Sequence, residues 1–411
     1  MENSFLKEFK DREYFNQCTN SEELEQLMNK KKIRAYIGFD CTAPSLHVGS
    51  LLQIMCLKLL QKHGHQPIVL LGGGTTRIGD PSGKEETRKI LSEKEIEKNI
   101  KNIEKIFKIY LKTSNTKTKP IFVNNYKWLG KLNYIKFLRE IGKHFTINKM
   151  LSFDSVKLRL EREQSLSYME FNYMILQAYD FLELNKSKNC LMQIGGSDQW
   201  GNIVNGVELI KRHSSKQVFG LTTPLITLAS GAKMGKTEKG AIWLDSKLLS
   251  SYDYWQFWRN TDDRDVLQFI KMFTDLEIKK IEEIKSKDIN YLKIVLANEA
   301  TSMLHGKDAA KKAEQTAKST FENKSFGGDL PTINLKKEKI NNGINIIDLV
   351  ITSNLLTSKS EVRRMIKNKG IKVNNETVED EKLNISLDNF NKDNFLKLSH
   401  GKKKHVIIKI I

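Results

Sequence analysis

IRAYIGFDCTAPSLHVGSLLQIMCLKLLQKHG, residues Ile33 to Gly64, decides the architecture. It runs from an apolar stretch ending at Phe39, through a turn marked by Pro44 and Ser45, into a segment whose apolar residues recur at helical spacing. The pattern then repeats outward. Pro67–Leu71, Pro120–Val123 and Cys190–Ile194 read as further strands, each followed by a Gly-rich or polar loop and a helix-like stretch. That alternation predicts an α/β fold with an open, mostly parallel sheet and ligands at the carboxyl ends of its strands. From Ser246 to about Asn323 strand signals vanish and charged amphipathic segments predict a helical domain. Asn323–Gly343 carries a Gly pair and a Pro with little periodicity and reads as a linker. The rest, to Ile411, reads as a small α+β unit. The expected division is therefore 1–245, 246–322, 323–343 and 344–411.

The 411 residues suit two or three domains. With 39% hydrophobic and 28% charged residues and six prolines, the composition is that of a globular protein and excludes disordered or collagen-like classes. No apolar run approaches the roughly 18 residues of a membrane span. The opening MENSFLKEFKDREYF is charged throughout, so a cytoplasmic protein with no membrane partner is expected. Cys18, Cys41, Cys56 and Cys190 lie far apart without a C-x-x-C pair, which supports neither a zinc site nor a disulfide framework. The net charge of +19 invites a nucleic-acid partner, yet 56 of the 68 basic residues are lysines, a bias that base composition alone produces.

Three segments carry anion chemistry. His47 is expected in the first turn of the helix after the first strand, where unpaired N–H groups and the helix dipole attract a phosphate; Thr42 and Gly49 add a donor and a position without a side chain. A plain capping role fits the same residues. GGGTTRIGDPSGKEETRK, Gly72 to Lys89, is not a Walker A loop, because Gly79 and Gly83 are one residue too close and Glu85 replaces Ser or Thr. It still gathers Asp80, Lys84 and Arg88 in one polar turn, suited to an amino group on one side and phosphates on the other. In LTTPLITLASGAKMGKTEKGAIWL, Gly231, Gly235 and Gly240 punctuate a loop whose Lys233, Lys236 and Thr237 can swing toward an anion. A solvated surface loop fits both of these segments too.

MEFNYMILQAYDFLEL, Met169 to Leu184, reads as an apolar helix with Tyr173, Gln177 and Asp180 at i, i+4 and i+7, close to one line. A narrow polar strip among apolar neighbours is the wall of a pocket rather than a broad wet face. QIGGSDQWGNI, Gln193 to Ile203, closes the strand begun at Cys190 with a Gly-rich loop holding Asp198 and Gln199.

Taken together, HVGS at His47–Ser50, GDPSGK at Gly79–Lys84, GGSDQWGN at Gly195–Asn202 and KMGKT at Lys233–Thr237 resemble a class I aminoacyl-tRNA synthetase. In order and wording they are similar to the bacterial tyrosyl-tRNA synthetases, a likeness that runs from about Ile33 to the carboxyl end. The resemblance implies a Rossmann-like catalytic domain making tyrosyl-adenylate from tyrosine and ATP with Mg2+ and no protein-bound metal. It implies a homodimer that passes the tyrosyl group to the 3′-terminal adenosine of tRNA(Tyr). By the same resemblance Tyr36 and Asp180 bond the substrate phenol, while Tyr173, Gln177 and Asp80 hold its α-amino group. Thr42 and His47 contact phosphates, and Lys84, Arg88, Lys233, Lys236 and Thr237 close over pyrophosphate. Asp40, Gly49, Ser50, Gly196, Asp198 and Gln199 face substrate and ATP. Two positions depart from the pattern: Ser50 stands where His or Asn is usual, and Ile37 where some members carry a small polar residue.

TSKSEVRRMIKNKGIKVNNETVED, Thr357 to Asp380, opens with Ser358 and Glu361 in capping-box spacing and sets Arg363, Arg364 and Lys367 on one side of a short helix. Gly370 ends it and IKVNNETV reads as a hairpin. A solvated basic helix is the plain reading; the segment resembles an S4-type RNA-binding domain, which implies tRNA contact. From Pro331 to Ile411 the chain holds 16 Lys+Arg against 9 Asp+Glu, more than twice as basic per residue as the remainder. Tryptophanyl-tRNA synthetase is the same-class rival, and an RNA-binding protein that kept the fold without the activity is the rival of another class.

Overall fold

The computed structural model describes residues 3–81, 91–114, 117–229, 231, 234–237, 240–322, 330–341, 343–391, 394–401 and 404–411. Lys84, Arg88 and Lys233 lie outside the described residues, as do the side chains of Lys236 and Thr237. The chain divides into two compact units, one comprising residues 1–249 with 257–304, the other residues 250–256 with 305–411.

The first unit is built on a six-stranded sheet. Its strands are β1 (Gln17–Cys18), β2 (Arg34–Phe39), β3 (Gln66–Leu71), β4 (Ile121–Asn124), β5 (Cys190–Gly196) and β6 (Phe219–Thr223), in the order β1-β6-β5-β2-β3-β4. All neighbours are parallel except β1, which runs antiparallel to β6. The chain moves outward from β2 to β3 and β4, then returns to place β5 and β6 on the other side of β2. A crevice therefore opens between β2 and β5 at their carboxyl ends, where an open α/β sheet holds its ligand.

The helices follow from their apolar patterns. Nine of the twelve residues in the Leu51–Lys62 helix are buried, so it is apolar all round and lies inside the unit. His47 is not within the first turn of that helix. It caps a short 3-10 turn, Val48–Ser50, that leads into it, its ring Nδ1 accepting from the Gly49 N–H at 3.0 Å. The expected Met169–Leu184 helix is two helices, Tyr168–Phe171 and Tyr173–Lys188. Ser167 and Glu170 form a reciprocal capping box that starts a helix of its own one turn before the longer one. Tyr173–Lys188 packs against Trp200–Ser214; a Cβ on Gly206 would lie 3.0 Å from the Phe181 ring, a close approach glycine permits. Tyr36, Ile68, Leu70, Met174, Phe181, Leu182 and Cys190 form the core between these helices and the sheet.

Residues 246–322, expected as one helical domain, carry helices but are shared between the two units: 246–249 and 257–304 belong to the first, and 250–256 with 305–322 to the second. Among the described residues the helices are Ser251–Arg259, Val266–Phe273, Ile278–Ile284, Ile289–His305 and Lys307–Glu322. The linker expected at 323–343 is not continuous. Thr332–Leu335 forms an edge strand parallel to Lys404–Ile410, and Glu338–Asn341 makes one helical turn. Two alternating apolar residues, Ile333 and Leu335, are too short a signal to be read as a strand beside so many polar neighbours.

The second unit holds a five-stranded sheet: Glu376–Thr377, Ile371–Val373, Phe395–His400, Lys404–Ile410 and Thr332–Leu335, in that order. The Ile371–Val373 and Glu376–Thr377 hairpin turns through Asn374 and Asn375, both at positive φ, the geometry a two-residue turn requires. The left-handed residue after the Lys359–Lys367 helix is Lys369, not Gly370. Leu349, Val350, Val362, Ile366, Leu396 and Ile408 fill the core. Among the described residues no helix is long and apolar enough to cross a membrane.

Candidate active site

At the carboxyl ends of β2 and β5 the first unit encloses a cavity of about 340 Å³. Its wall includes Tyr36, Asp40, Gly49, Ser50, Asp80, Tyr173, Gln177, Asp180, Gly196, Asp198 and Gln199. The polar strip of the Tyr173–Lys188 helix thus faces the cavity, as its spacing required. Ile37 lines it too.

A chain of hydrogen bonds organises one side. Asp180, 1% exposed, accepts from Trp128 Nε1 at 2.7 Å on Oδ1 and from Asn125 Nδ2 at 2.9 Å on Oδ2. Asn125 Nδ2 also donates to Thr75 Oγ1 at 3.1 Å, and its own Oδ1 accepts from the Gly74 N–H at 2.7 Å. Thr75 Oγ1 donates to Asp40 Oδ1 at 2.7 Å, and Tyr173 OH donates to Asp40 Oδ2 at 3.1 Å. Asn125 and Trp128 belong to no motif and meet Asp180 only through the fold; Thr75 lies within the Gly72–Lys89 segment, but its link from Asn125 to Asp40 has no signal in the spacing.

A second network lies across the cavity. Asn202 Nδ2 donates to Gln177 Oε1 at 3.0 Å and to Gln199 Oε1 at 3.2 Å; Gln199 Nε2 donates to Asp80 Oδ2 at 2.9 Å. These bonds turn Asp80, Gln177 and Gln199 toward one another, giving acceptors suited to a substrate ammonium.

Burial lifts the Asp180 carboxyl to about 7, against the pull of the Asn125 and Trp128 hydrogen bonds, which favour the ionised form. Burial, and then the nearby Asp180 carboxylate, hold the Tyr36 phenol well above its ordinary range. Three buried polar atoms on the cavity wall have no protein partner: Tyr36 OH, Gln53 Oε1 and Gln193 Oε1. Each such atom costs about 1–3 kcal/mol unless something meets it, so a polar ligand that reached the Tyr36 phenol would relieve one of these costs.

The first and fourth signatures abut. Val48 N–H bonds Ile242 O at 2.9 Å and Leu244 N–H bonds Leu46 O at 2.8 Å. The backbone of Gly235, at φ 104°, lies against His47 and Gly49: a Cβ built on it would stand 2.6 Å from His47 Nδ1 and 2.8 Å from Gly49 N. Because His47 Nδ1 accepts a backbone N–H, the neutral ring carries its proton on Nε2. Lys236 and Thr237 form a two-residue strand paired with Gly240–Ala241. Thr42 is exposed just past β2, on a loop anchored by Asn99 Nδ2 to Cys41 O at 2.9 Å. In the second unit Arg363, Arg364 and Lys367 are all exposed on the Lys359–Lys367 helix, Ser358 capping it through the Glu361 N–H at 3.2 Å.

Comparison with known proteins agrees with this geometry. Residues 28–322 match the family model for class I tRNA synthetases (W and Y), and residues 322–408 match that for the SYY-like C-terminal domain of tyrosine-tRNA ligase. The chain is 71% identical to the tyrosine-tRNA ligase of Pelagibacter ubique over the whole length of both. It is 51% identical to that of Rickettsia bellii, across 99% of this chain and all of the relative. Among solved structures it is similar to a C-terminally truncated mitochondrial tyrosyl-tRNA synthetase from Aspergillus nidulans, with TM-score 0.69 and 30% identity, covering 77% of this chain and 94% of that one. Signatures, crevice and relatives together place the chain in the tyrosine-tRNA ligase family of class I tRNA synthetases.

Proposed function

We propose that the cavity activates L-tyrosine with ATP and that the chain then charges tRNA(Tyr). The observation that carries this reading is the buried Tyr36 OH without a partner beside a buried Asp180 carboxylate, on the wall of a cavity whose opposite side gathers Asp80, Gln177 and Gln199. A phenol fits the first end and an ammonium the second. A ligand lacking the hydroxyl leaves the buried polar groups unpaired, and this is how a pocket rejects phenylalanine without editing.

The tyrosine carboxylate attacks the α-phosphate, pyrophosphate leaves, and the tRNA ribose hydroxyl then attacks the adenylate carbonyl with loss of AMP. No protein nucleophile is required; the chain positions the reactants and stabilises developing charge. Tyr36 and Asp180 hold the phenol, and Tyr173, Gln177, Asp80 and Gln199 the α-amino end. Thr42 and His47 meet the phosphates, and Asp40, Gly49, Ser50, Gly196 and Asp198 the nucleotide. Lys84, Arg88, Lys233, Lys236 and Thr237 neutralise the departing pyrophosphate. Among the described residues no group of three or more His, Cys, Asp or Glu could cage an ion. Mg2+ would enter as a companion of ATP, held through phosphates and water, where it would offset phosphate charge.

Residues 1–245 would carry this chemistry, and residues 246–322 and the S4-like 344–411 would contact tRNA, with Arg363, Arg364 and Lys367 toward phosphates. A cytoplasmic homodimer completes the reading. Among the described residues fifteen large hydrophobic side chains are exposed, and nine of them fall between Tyr126 and Met169, among them Ile135 at 71% and Tyr168 at 66%. Such a concentration marks a protein-protein surface, here for a second copy of the chain. The deciding test of the whole reading is amino-acid-dependent exchange of pyrophosphate into ATP: tyrosine should support it, while tryptophan and phenylalanine should not. Exchange with tryptophan alone would point to the rival specificity, and none with any amino acid to a non-catalytic RNA-binding protein.

Three further results are expected. Lys236→Ala should slow adenylate formation about 10²–10³-fold in single turnover while tyrosine affinity stays within about threefold, because its contact forms with the departing charge. Equal losses in both would exclude that role. Gly49→Ala should reduce exchange at least roughly tenfold, since its Cβ would stand 2.7 Å from the His47 ring and 2.8 Å from Met234 O and must displace the junction of the two signatures. Tyrosine affinity unchanged with ATP use impaired is the diagnostic split.

The third concerns pH. With Asp180 lifted from 3.8 to about 7, the folded chain holds a proton between those values that the unfolded chain releases. This group therefore lowers stability as pH rises through that window, with no further change above it. A bound phenol favours the ionised carboxylate, so tyrosine affinity should rise from pH 6 to 8, and Asp180→Asn should flatten the profile.

A further inference from the structure

The opposite rim of the sheet carries a second recess of about 240 Å³, remote from the β2–β5 crevice because it lies at the amino ends of β2 and β3. Lys31, Lys32, Arg34 and Lys117 line it, and among the described residues no Asp or Glu does. Ile33 and Leu191 form part of its wall, with the amides of Gln66 and Asn189 beside them.

Arg34 is held in place rather than waving in solvent: its Nε donates to Gln66 Oε1 at 2.7 Å and one Nη to the Lys188 carbonyl at 2.6 Å. Two of the five guanidinium N–H groups are thereby used, and a planar fork fixed at two points is preorganised for a phosphate. Lys32 Nζ donates to the His63 carbonyl at 2.8 Å, which sets its position as well. Its charge is felt locally: the His65 imidazole is held down near 4, first by burial and next by Lys32. Lys31, Lys32 and Arg34 bring positive charge to one recess, which favours an anion with several negative oxygens over separate chloride ions.

We propose that this recess is a binding site for a small polyphosphate, either inorganic or carried on a nucleoside. Arg34 and Lys32 engage the phosphate chain, with Lys31 and Lys117 at the rim, and the half-buried Leu191 is the apolar side chain that a nucleoside would meet. The site is independent of the adenylate crevice and assigns part of the lysine excess of the first unit to a ligand.

The test uses the full chain with its crevice occupied by a non-hydrolysable tyrosyl-adenylate analogue; because the analogue leaves the pyrophosphate-binding residues open, the recess is read as the part of the binding that the recess variant loses. Sodium tripolyphosphate and GTP are titrated separately by calorimetry. Saturable binding near one per chain is expected, at least tenfold weaker in Lys31→Ala/Lys117→Ala and weaker with added salt. That variant should retain tyrosine-dependent pyrophosphate exchange, which shows it folded. Similar affinity for the two probes assigns recognition to the phosphate chain; tighter GTP assigns it to a nucleoside-borne one. Absence of saturable binding by both probes, or binding unchanged in the variant, overturns the proposal. Because tyrosine-dependent pyrophosphate exchange is measured separately, failure here leaves the activation reading untouched.

Discussion

Asp180→Ala is expected to lower kcat/KM for tyrosine in pyrophosphate exchange by about 10³-fold, a transition-state loss near 4 kcal/mol. Two costs add. The substrate phenol loses an acceptor that is charged when ionised, a bond worth roughly 1.5–3 kcal/mol. Trp128 Nε1 and Asn125 Nδ2, which donate to Asp180 at 2.7 and 2.9 Å, also lose the acceptor that fixes them, each at about 1–3 kcal/mol where no water enters. Asn125 in turn bonds Thr75, which holds Asp40, so the disturbance reaches the neighbouring carboxylate. Asp180→Asn separates the terms: it keeps an oxygen for Trp128 but turns an amide N–H₂ toward a donor. It should fall between wild type and Asp180→Ala. Trp128→Phe, which removes only one donor, should raise the tyrosine KM by no more than about tenfold and leave the ATP KM unchanged. A tyrosine kcat/KM for Asp180→Ala within about tenfold of wild type, with thermal unfolding intact, would remove Asp180 from phenol recognition.

How much of this was legible in the chain depends on how local each signal is. The parallel sheet and its crevice were, because β2, β3, β4 and β5 are apolar runs of four to seven residues set off by helical patterns. Tyr173, Gln177 and Asp180 were, because a helix turns sequence spacing into a line in space. Asn125 and Trp128 were not: they lie 55 and 52 residues from Asp180, on the short connection after β4, and only the packing of that connection brings them to it. Gln53 and Gln193 were hidden for the opposite reason, each standing inside an apolar run where one amide reads as noise. The antiparallel β1, two residues long, carries no periodicity at all. The capping of His47 by its own ring needed coordinates, because Ser, Thr, Asp or Asn would be the expected capping residue.

The charge reversal Arg363→Glu/Arg364→Glu is expected to reduce tRNA charging by at least about 10²-fold in kcat/KM while tyrosine-dependent pyrophosphate exchange stays within about twofold. The helix argues for a clean separation. Val362 and Ile366 point into the core of the second unit, whereas Arg363 and Arg364 are exposed on its other side. The swap thus changes the sign of a surface without touching packing. The pairing of Arg363 with Glu381, at 3.7 Å between two half-exposed groups, contributes little to stability and its loss should not unfold the unit. Binding to a phosphate backbone releases condensed counterions, so wild-type affinity for tRNA should fall steeply as salt rises. Replacing both arginines by alanine should reduce that slope by about two, one for each phosphate contact removed, and the glutamate pair should weaken binding further by repulsion. Lys367, one turn on from Arg363 on the same face, should behave as a third such contact, smaller because a lysine cannot bridge two phosphate oxygens as a guanidinium does. Charging by the glutamate variant at the wild-type rate, with the same salt slope, would move tRNA recognition away from this helix to another surface of the chain.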